Sequence, residues 1–189
     1  MMRPSSNQET IFGYLSVVHS KQHGYFGGYL LISVLGRPLE FHCSAPIRPS
    51  RAQEILYGPT LQPYLLGEQI GGTLLGKAKL SPRLVLTDQP AALCLRGEMN
   101  VPLLCLLLPD AAGARLAHAR SDTCHHLAFN GHDFELPAGY AADRDVTIAL
   151  LAQLAAHVEL AEPFDRIQEA IREAQRISAG GQDSHGHAA

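Results

Sequence analysis

Between Ile11 and Cys43 the chain runs through three apolar stretches separated only by short polar punctuation, and this arrangement most narrows the folds open to it. Ile11 to Val18 is rich in aromatic and β-branched residues, His19 to Gly24 is a polar turn, and Tyr25 to Val34 is a longer apolar strand. Leu35-Gly36-Arg37-Pro38 interrupts the chain again before Leu39 to Cys43. A parallel crossover needs a dozen or more residues, so connections this short predict an antiparallel β-meander. Gly27-Gly28, inside the second strand, predicts a bulge or a close backbone contact.

The rest of the chain alternates between helical and extended patterns. Ser50 and Gln53 form a capping-box pair that opens a short helix to Tyr57, stopped by Gly58. Thr60 to Leu75 is expected to be helical, with Leu61, Leu65, Ile70 and Leu74 as its buried stripe, although its glycines weaken the pattern. Arg83–Thr87, Ala91–Arg96 and Pro102–Leu108 are expected as three further strands, and Pro109–Asp122 is Ala-rich without clear periodicity. Asn130-Gly131 joins His126–Phe129 to His132–Leu136 as a hairpin. Two amphipathic helices then close the chain. Asp143–Val158 carries Val146, Leu150, Leu151, Leu154 and Val158 at helical spacing. A second helix from Pro163 places Phe164, Ile167, Ile171 and Ala174 on one face. The fold class is therefore α+β: a meander front half, a short helical insertion, further strands with a hairpin, and two C-terminal helices packed on the sheet. One domain is expected over residues 11–178, with a disordered leader at 1–10 and a flexible tail at 179–189 that carries His185 and His187.

Composition sets outer limits. Apolar residues make up 46% of the 189, enough for one sizeable core, and charged residues only 17%, too few for a solvated, disordered chain. No run of 18 apolar residues occurs and the first ten residues are polar, so neither a membrane span nor a signal peptide is expected and the location expected is cytoplasmic. Cys43, Cys94, Cys105 and Cys124 include no CxxC pair. The first three lie in apolar runs and are expected as reduced core residues.

Charge is unevenly spread. Residues 1–97 hold 9 Lys and Arg against 5 Asp and Glu, whereas residues 98–189 hold 6 against 13. A net of +4 on the front half is well short of a nucleic-acid binder's basic footprint.

Three clusters could carry chemistry. Glu40 and His42, two apart on a strand, share a face, and a carboxylate beside an imidazole can bind a metal or exchange a proton. Asp88 ends a strand and could join them as a third catalytic or metal-ligating group. Arg37, Arg48 and Arg51, the last two near a helix N-terminus, are the candidate anion-binding set. Cys124, His126 and His132 form the best metal-like group by residue type, although their spacing matches no zinc module. No residue pattern points to a cofactor. The chain lacks GxxxxGK[ST], GxGxxG after a strand and GxSxG.

Without a catalytic signature, the leading expectation is a binding or assembly module acting through protein–protein contacts, with a protein partner or a second copy docked on the last helix. A metal-assisted hydrolase or phosphate-ester enzyme using Glu40, His42 and Asp88 comes second, and a nucleic-acid-associated subunit third.

Overall fold

The computed structural model describes residues 9–108 and 124–180, with side chains up to 176. The expected leader lies almost wholly outside these residues, as do the Ala-rich stretch 109–123 and the tail with His185 and His187.

β1 (Ile11–Ser20) and β2 (Gly24–Ser33) pair antiparallel over their whole length, from Ile11 opposite Ser33 to Ser20 opposite Gly24. β3 (Pro38–Cys43) adds antiparallel to β2, which completes the expected meander. α1 (Arg51–Tyr57) follows, and its capping box is formed as the sequence requires: Ser50 Oγ accepts from Gln53 N, and the Gln53 side chain accepts from Ser50 N. The chain then passes through a short 3-10 turn, Gly58–Thr60, and a π-helical stretch, Pro63–Gly72, into α2 (Thr73–Lys77). β4 (Leu84–Thr87) runs parallel to β1, and β5 (Leu103–Leu106) runs parallel to β4. The hairpin of β6 (Cys124–Phe129) and β7 (His132–Pro137) completes a seven-stranded sheet of order β3-β2-β1-β4-β5-β7-β6. Asn130 and Gly131 both take positive φ, the type I′ geometry that an Asn-Gly hairpin demands. α3 (Asp143–Ala155) and α4 (Glu162–Gly180) follow.

Two sequence expectations change here. The segment around Ala91–Arg96 is a 3-10 helix, Pro90–Glu98, and not a strand. Pro90 has no N–H to give a ladder and its fixed φ suits a first helical residue. The link from β4 to the parallel β5 must also leave the sheet plane. As a result Cys94 is exposed instead of buried in the core. The sheet is likewise mixed, because β4 and β5 are parallel to β1.

Strand parity sorts the core into two layers. Phe12, Tyr14, Leu30, Leu84, Leu86 and Phe134 face α3 and α4, where Leu150, Leu151, Leu154, Phe164, Ile167 and Ile171 meet them. Val146, expected in the stripe, is 43% exposed in the first turn of α3. Leu15, Tyr29, Leu31, Val85 and Cys105 face the opposite way, under Leu65, Ile70 and Leu74 and under Ala92 and Leu95 of the 3-10 helix. Both faces of the central strands are therefore covered.

Gly27 and Gly28 are where the two layers come nearest to the sheet. A Cβ on Gly27 would collide with Ile70, and one on Gly28 with Ile167 and Ile171. The glycine pair marks two close helix approaches on opposite faces, whereas the register shift in β2 falls later, at Leu31–Ile32. Gly27→Val is expected to cost about 1–3 kcal/mol through overpacking. Gly76→Ala, with no atom within 4 Å of the new Cβ, should be neutral or slightly stabilising. Urea unfolding of the two variants checks the contrast.

Candidate functional site at the carboxyl ends of the parallel strands

β1 and β4 lie side by side and point the same way, with Leu15 opposite Thr87. Ligands of open sheets gather outside the carboxyl ends of parallel strands, because loops there are released from the ladder while the strands hold them rigidly. The polar group at this end is Asp88, the residue after β4. Ser16 Oγ donates to Asp88 Oδ2 at 2.7 Å and Gln89 Nε2 donates to Oδ1 at 3.0 Å. Gln168 of α4 adds a third side-chain hydrogen bond to the carboxylate. Gln89 Nε2 also reaches Val17 O at 3.3 Å, which clamps the exit of β4 onto β1.

Asp88 keeps part of its surface open, yet protein crowds its carboxyl. Desolvation raises its pKa to about 6, outweighing the hydrogen bonds from Ser16, Gln89 and Gln168 that favour the charged form. The folded state therefore holds this proton more tightly than the unfolded chain does. The corresponding stabilisation is complete below the unfolded pKa of 3.8 and is lost as pH rises through about 6. Relative to Asp88→Asn, the wild type should lose on the order of 2 kcal/mol across that window. Thermal unfolding of both proteins over the same pH series measures it; a flat difference would mean an unshifted carboxyl.

The residues singled out from sequence fall elsewhere. Glu40 and His42 do pair, at 2.6 Å, on a strand that is extended as expected. They sit opposite Leu31 and Tyr29, on the face that packs against the 63–77 helical stretch, and both are largely buried, whereas Phe41 is 40% exposed. The expected facing is reversed: the 63–77 stretch covers the side of Glu40 and His42, whereas the Phe41 side of this edge strand stays partly open. Glu40 also accepts from the backbone N–H of Lys79 (3.0 Å) and Leu80 (3.1 Å). These bonds, Lys79 first, and His42 hold its carboxyl below the usual range. Its observed contacts tie the segment after α2 to β3. Asp88 continues β4 in the alternation of Leu84 and Leu86, so it faces α4, on the other side of the sheet. β3 and β4 are also three strand spacings apart, about 14 Å. No single ion can bridge Glu40, His42 and Asp88.

The arginines scatter as well. Arg37 follows the end of β2, whereas Arg48 packs by Gly24 at its start, so ten residues of strand, about 33 Å, separate them. Arg51 pairs with Glu54 at 2.9 Å on the exposed face of α1. The metal-like group is split by hairpin parity. His126 lies opposite Glu135, 3.9 Å from its carboxylate, and shares that face with Cys124. His132 points the other way and bonds Glu159 at 3.1 Å. Among the described residues no three His, Cys, Asp or Glu side chains gather as a metal site.

Ser16, Gln89 and Gln168 were not anticipated. Ser16 alone left a trace, as a polar residue inside an apolar strand, and it is fully buried. A second feature lies near the same end. Tyr57 and Tyr64 stack with ring centroids 4.1 Å apart, beside the exposed Ile55 and Leu56 of α1. Gly67 packs on Cys94, and Cys94 Sγ lies 3.6 Å from Pro63 O. The stretch carrying Tyr64 therefore runs along the helix that begins two residues after Asp88.

No family model matches the chain, and no curated protein matches it by sequence. Solved structures do. Ciona intestinalis endonuclease V, in complex with a 23mer DNA containing an inosine followed by a ribo-adenosine, superposes with a TM-score of 0.50 at 10% identity, over 91% of this chain and 88% of that one. The chain shares the endonuclease V fold. Human ENDOV superposes with a TM-score of 0.48 at 13% identity, over 94% and 89%. This overturns the expectation of a protein–protein binding or assembly module. That expectation rested on missing catalytic motifs, and a DNA-bound endonuclease is built on this fold.

Phosphodiester cleavage commonly relies on divalent ions clamped between several carboxylates. Among the described residues no three such side chains gather at this end, where Asp88 is met by a serine hydroxyl and two amides. Among the described residues no helix is long and apolar enough to cross a membrane.

Proposed function

We propose that this chain acts on nucleic acid, with the Asp88 cluster, where β4 ends beside Ser16 of β1, as its centre and the Tyr57–Tyr64 stack as a neighbouring contact surface. The observation that carries the reading is the placement of one crowded carboxylate, tied to β1, β4 and α4 together, at the ligand end of a sheet whose fold is shared with a DNA-bound endonuclease. The stacked tyrosines support it. Aromatic faces accept any base, and stacking is worth about 1–3 kcal/mol per base. Arg48 and Arg51, on the same projecting segment, offer charge to the backbone.

Fluorescence anisotropy with a labelled 23-mer, as single strand and as duplex, in DNA and RNA, tests the proposal. Binding is expected, and it should weaken steeply with added salt. Tyr57→Ala should weaken it about tenfold, the equivalent of about 1.4 kcal/mol. No binding to any of the four probes at low salt would overturn the reading.

A further inference from the structure

Resting on that reading, we infer that the nucleic-acid contact continues from the Tyr57–Tyr64 stack to a second aromatic pair, His19–Tyr25, and that the track between them takes unpaired bases. His19 and Tyr25 stand directly opposite each other on β1 and β2, with ring centroids 4.4 Å apart and planes at 35°. Tyr25 is half-buried against the core layer beneath the 63–77 stretch, whereas His19 is exposed. The exposed imidazole offers a surface on which a base can continue the stack.

Both pairs lie at one end of one face of the sheet. His19 and Tyr25 share strand parity with Val17 and Tyr29, on the side that the 63–77 stretch covers. That stretch passes Gly27 with Ile70 and Leu74, and Leu75 and Ala78 line a cleft together with Tyr29, so it runs in the direction of β2. Tyr64, before Ile70 in the chain, therefore lies toward the start of β2, where Tyr25 is. Gln89 Nε2 holds Val17 O, two residues before His19, so this end of the face adjoins the Asp88 cluster.

The chain that joins the two pairs carries positive charge. Tyr25 and Ile47 exchange backbone hydrogen bonds of 2.8 and 2.9 Å. From Ile47 the chain leads through Arg48, whose stem packs by Gly24, to the Ser50 cap and along α1 to Tyr57. Arg51 is tied to Glu54, but the exposed Arg48 meets no acidic partner among the described residues. Exposed Lys21, in the turn after β1, adds a second cation beside His19. Rings that accept bases, with cations between them for the backbone, are what a single strand needs. In a duplex each base is stacked and paired, whereas the bases of a single strand splay out readily onto aromatic side chains.

The test is anisotropy on the full chain with three labelled 23-mers: a single strand, its duplex, and a single strand whose central bases are replaced by abasic sites at unchanged phosphate number. The intact single strand should bind about tenfold tighter than either of the others. His19→Ala should weaken the intact strand about tenfold and leave the abasic strand unchanged. Arg48→Ala should weaken both strands and lower the salt slope by about one. Both positions are exposed, and circular dichroism melts check that each variant keeps its fold. Wild-type affinity in His19→Ala, equal affinity for intact and abasic strands, or a preference for the duplex would overturn the inference while the nucleic-acid reading stands. Absence of binding to every probe at low salt would remove that reading, and the inference with it.

Discussion

Phe164→Ala is expected to lower the free energy of unfolding by about 3–5 kcal/mol, among the largest effects of any single truncation in this chain. Phe164 is fully buried at the start of α4 and meets Tyr14 of β1 edge-on, with ring centroids 5.0 Å apart and planes at 70°. Deleting the ring removes that contact and leaves a hole walled by β1 and by its α4 neighbours Ile167 and Ile171, which are themselves held by the sheet. A rigid wall cannot collapse, so the cavity cost adds to the lost transfer energy. For a chain of this length each kcal/mol moves the unfolding midpoint by about 2–4 °C, so scanning calorimetry should show a drop on the order of 10 °C. Phe41→Ala, at a ring 40% exposed on an edge strand, is the control and should cost far less. Equal losses at the two positions would mean that α4 does not pack on the sheet as described.

Arg96→Ala is expected to be similarly damaging, by about 3 kcal/mol, for an electrostatic reason. Arg96 holds Asp143 with two bonds, Nε to Oδ2 at 2.6 Å and Nη2 to Oδ1 at 3.1 Å, and both side chains are largely buried. Its Nη1 donates to Met99 O at 2.7 Å, and its guanidinium lies 4.2 Å from the Tyr140 ring centroid. Arg96 ends the 3-10 helix on one face of the sheet, whereas Asp143 opens α3 on the other. This one side chain therefore fastens the two helical layers together. Alanine leaves Asp143 partly buried without its counter-charge, which costs more than the intact pair contributes. Arg96→Lys should recover only a minority of the loss, since an ammonium cannot make the two-pronged contact or lie flat on the ring. Denaturant midpoints of the two variants test this; full rescue by lysine would reduce the contact to plain charge.

Much of the fold was legible because its signals are local. The meander follows from connections too short to cross over, the α1 cap from Ser50 and Gln53, and the hairpin from Asn130-Gly131. The misses share one cause. The segment 91–96 has an apolar run of strand length, and burial alone does not separate a strand from a helix lying on a sheet. Phe41 and Glu40 alternate as on a half-wet strand, but the 63–77 helical stretch lies over the Glu40 side and leaves Phe41 on the wetter one. Cys124, His126 and His132 look like ligands by type, yet two-residue parity around the turn puts His132 on the opposite face from the other two.

The chain's own pattern of apolar runs, turns and caps dictated an α+β domain with a meander at its front and two amphipathic helices at its end, since each of those choices is made within a dozen residues. Which polar groups meet was settled elsewhere, by the parallel docking of β4 on β1 and of α4 on the sheet. These contacts unite Ser16, Asp88 and Gln168, residues 72 and 80 positions apart along the chain. Burial then acts on the assembled group: crowding outweighs the hydrogen bonds on both oxygens and raises a carboxyl that is ordinary in a turn to about 6.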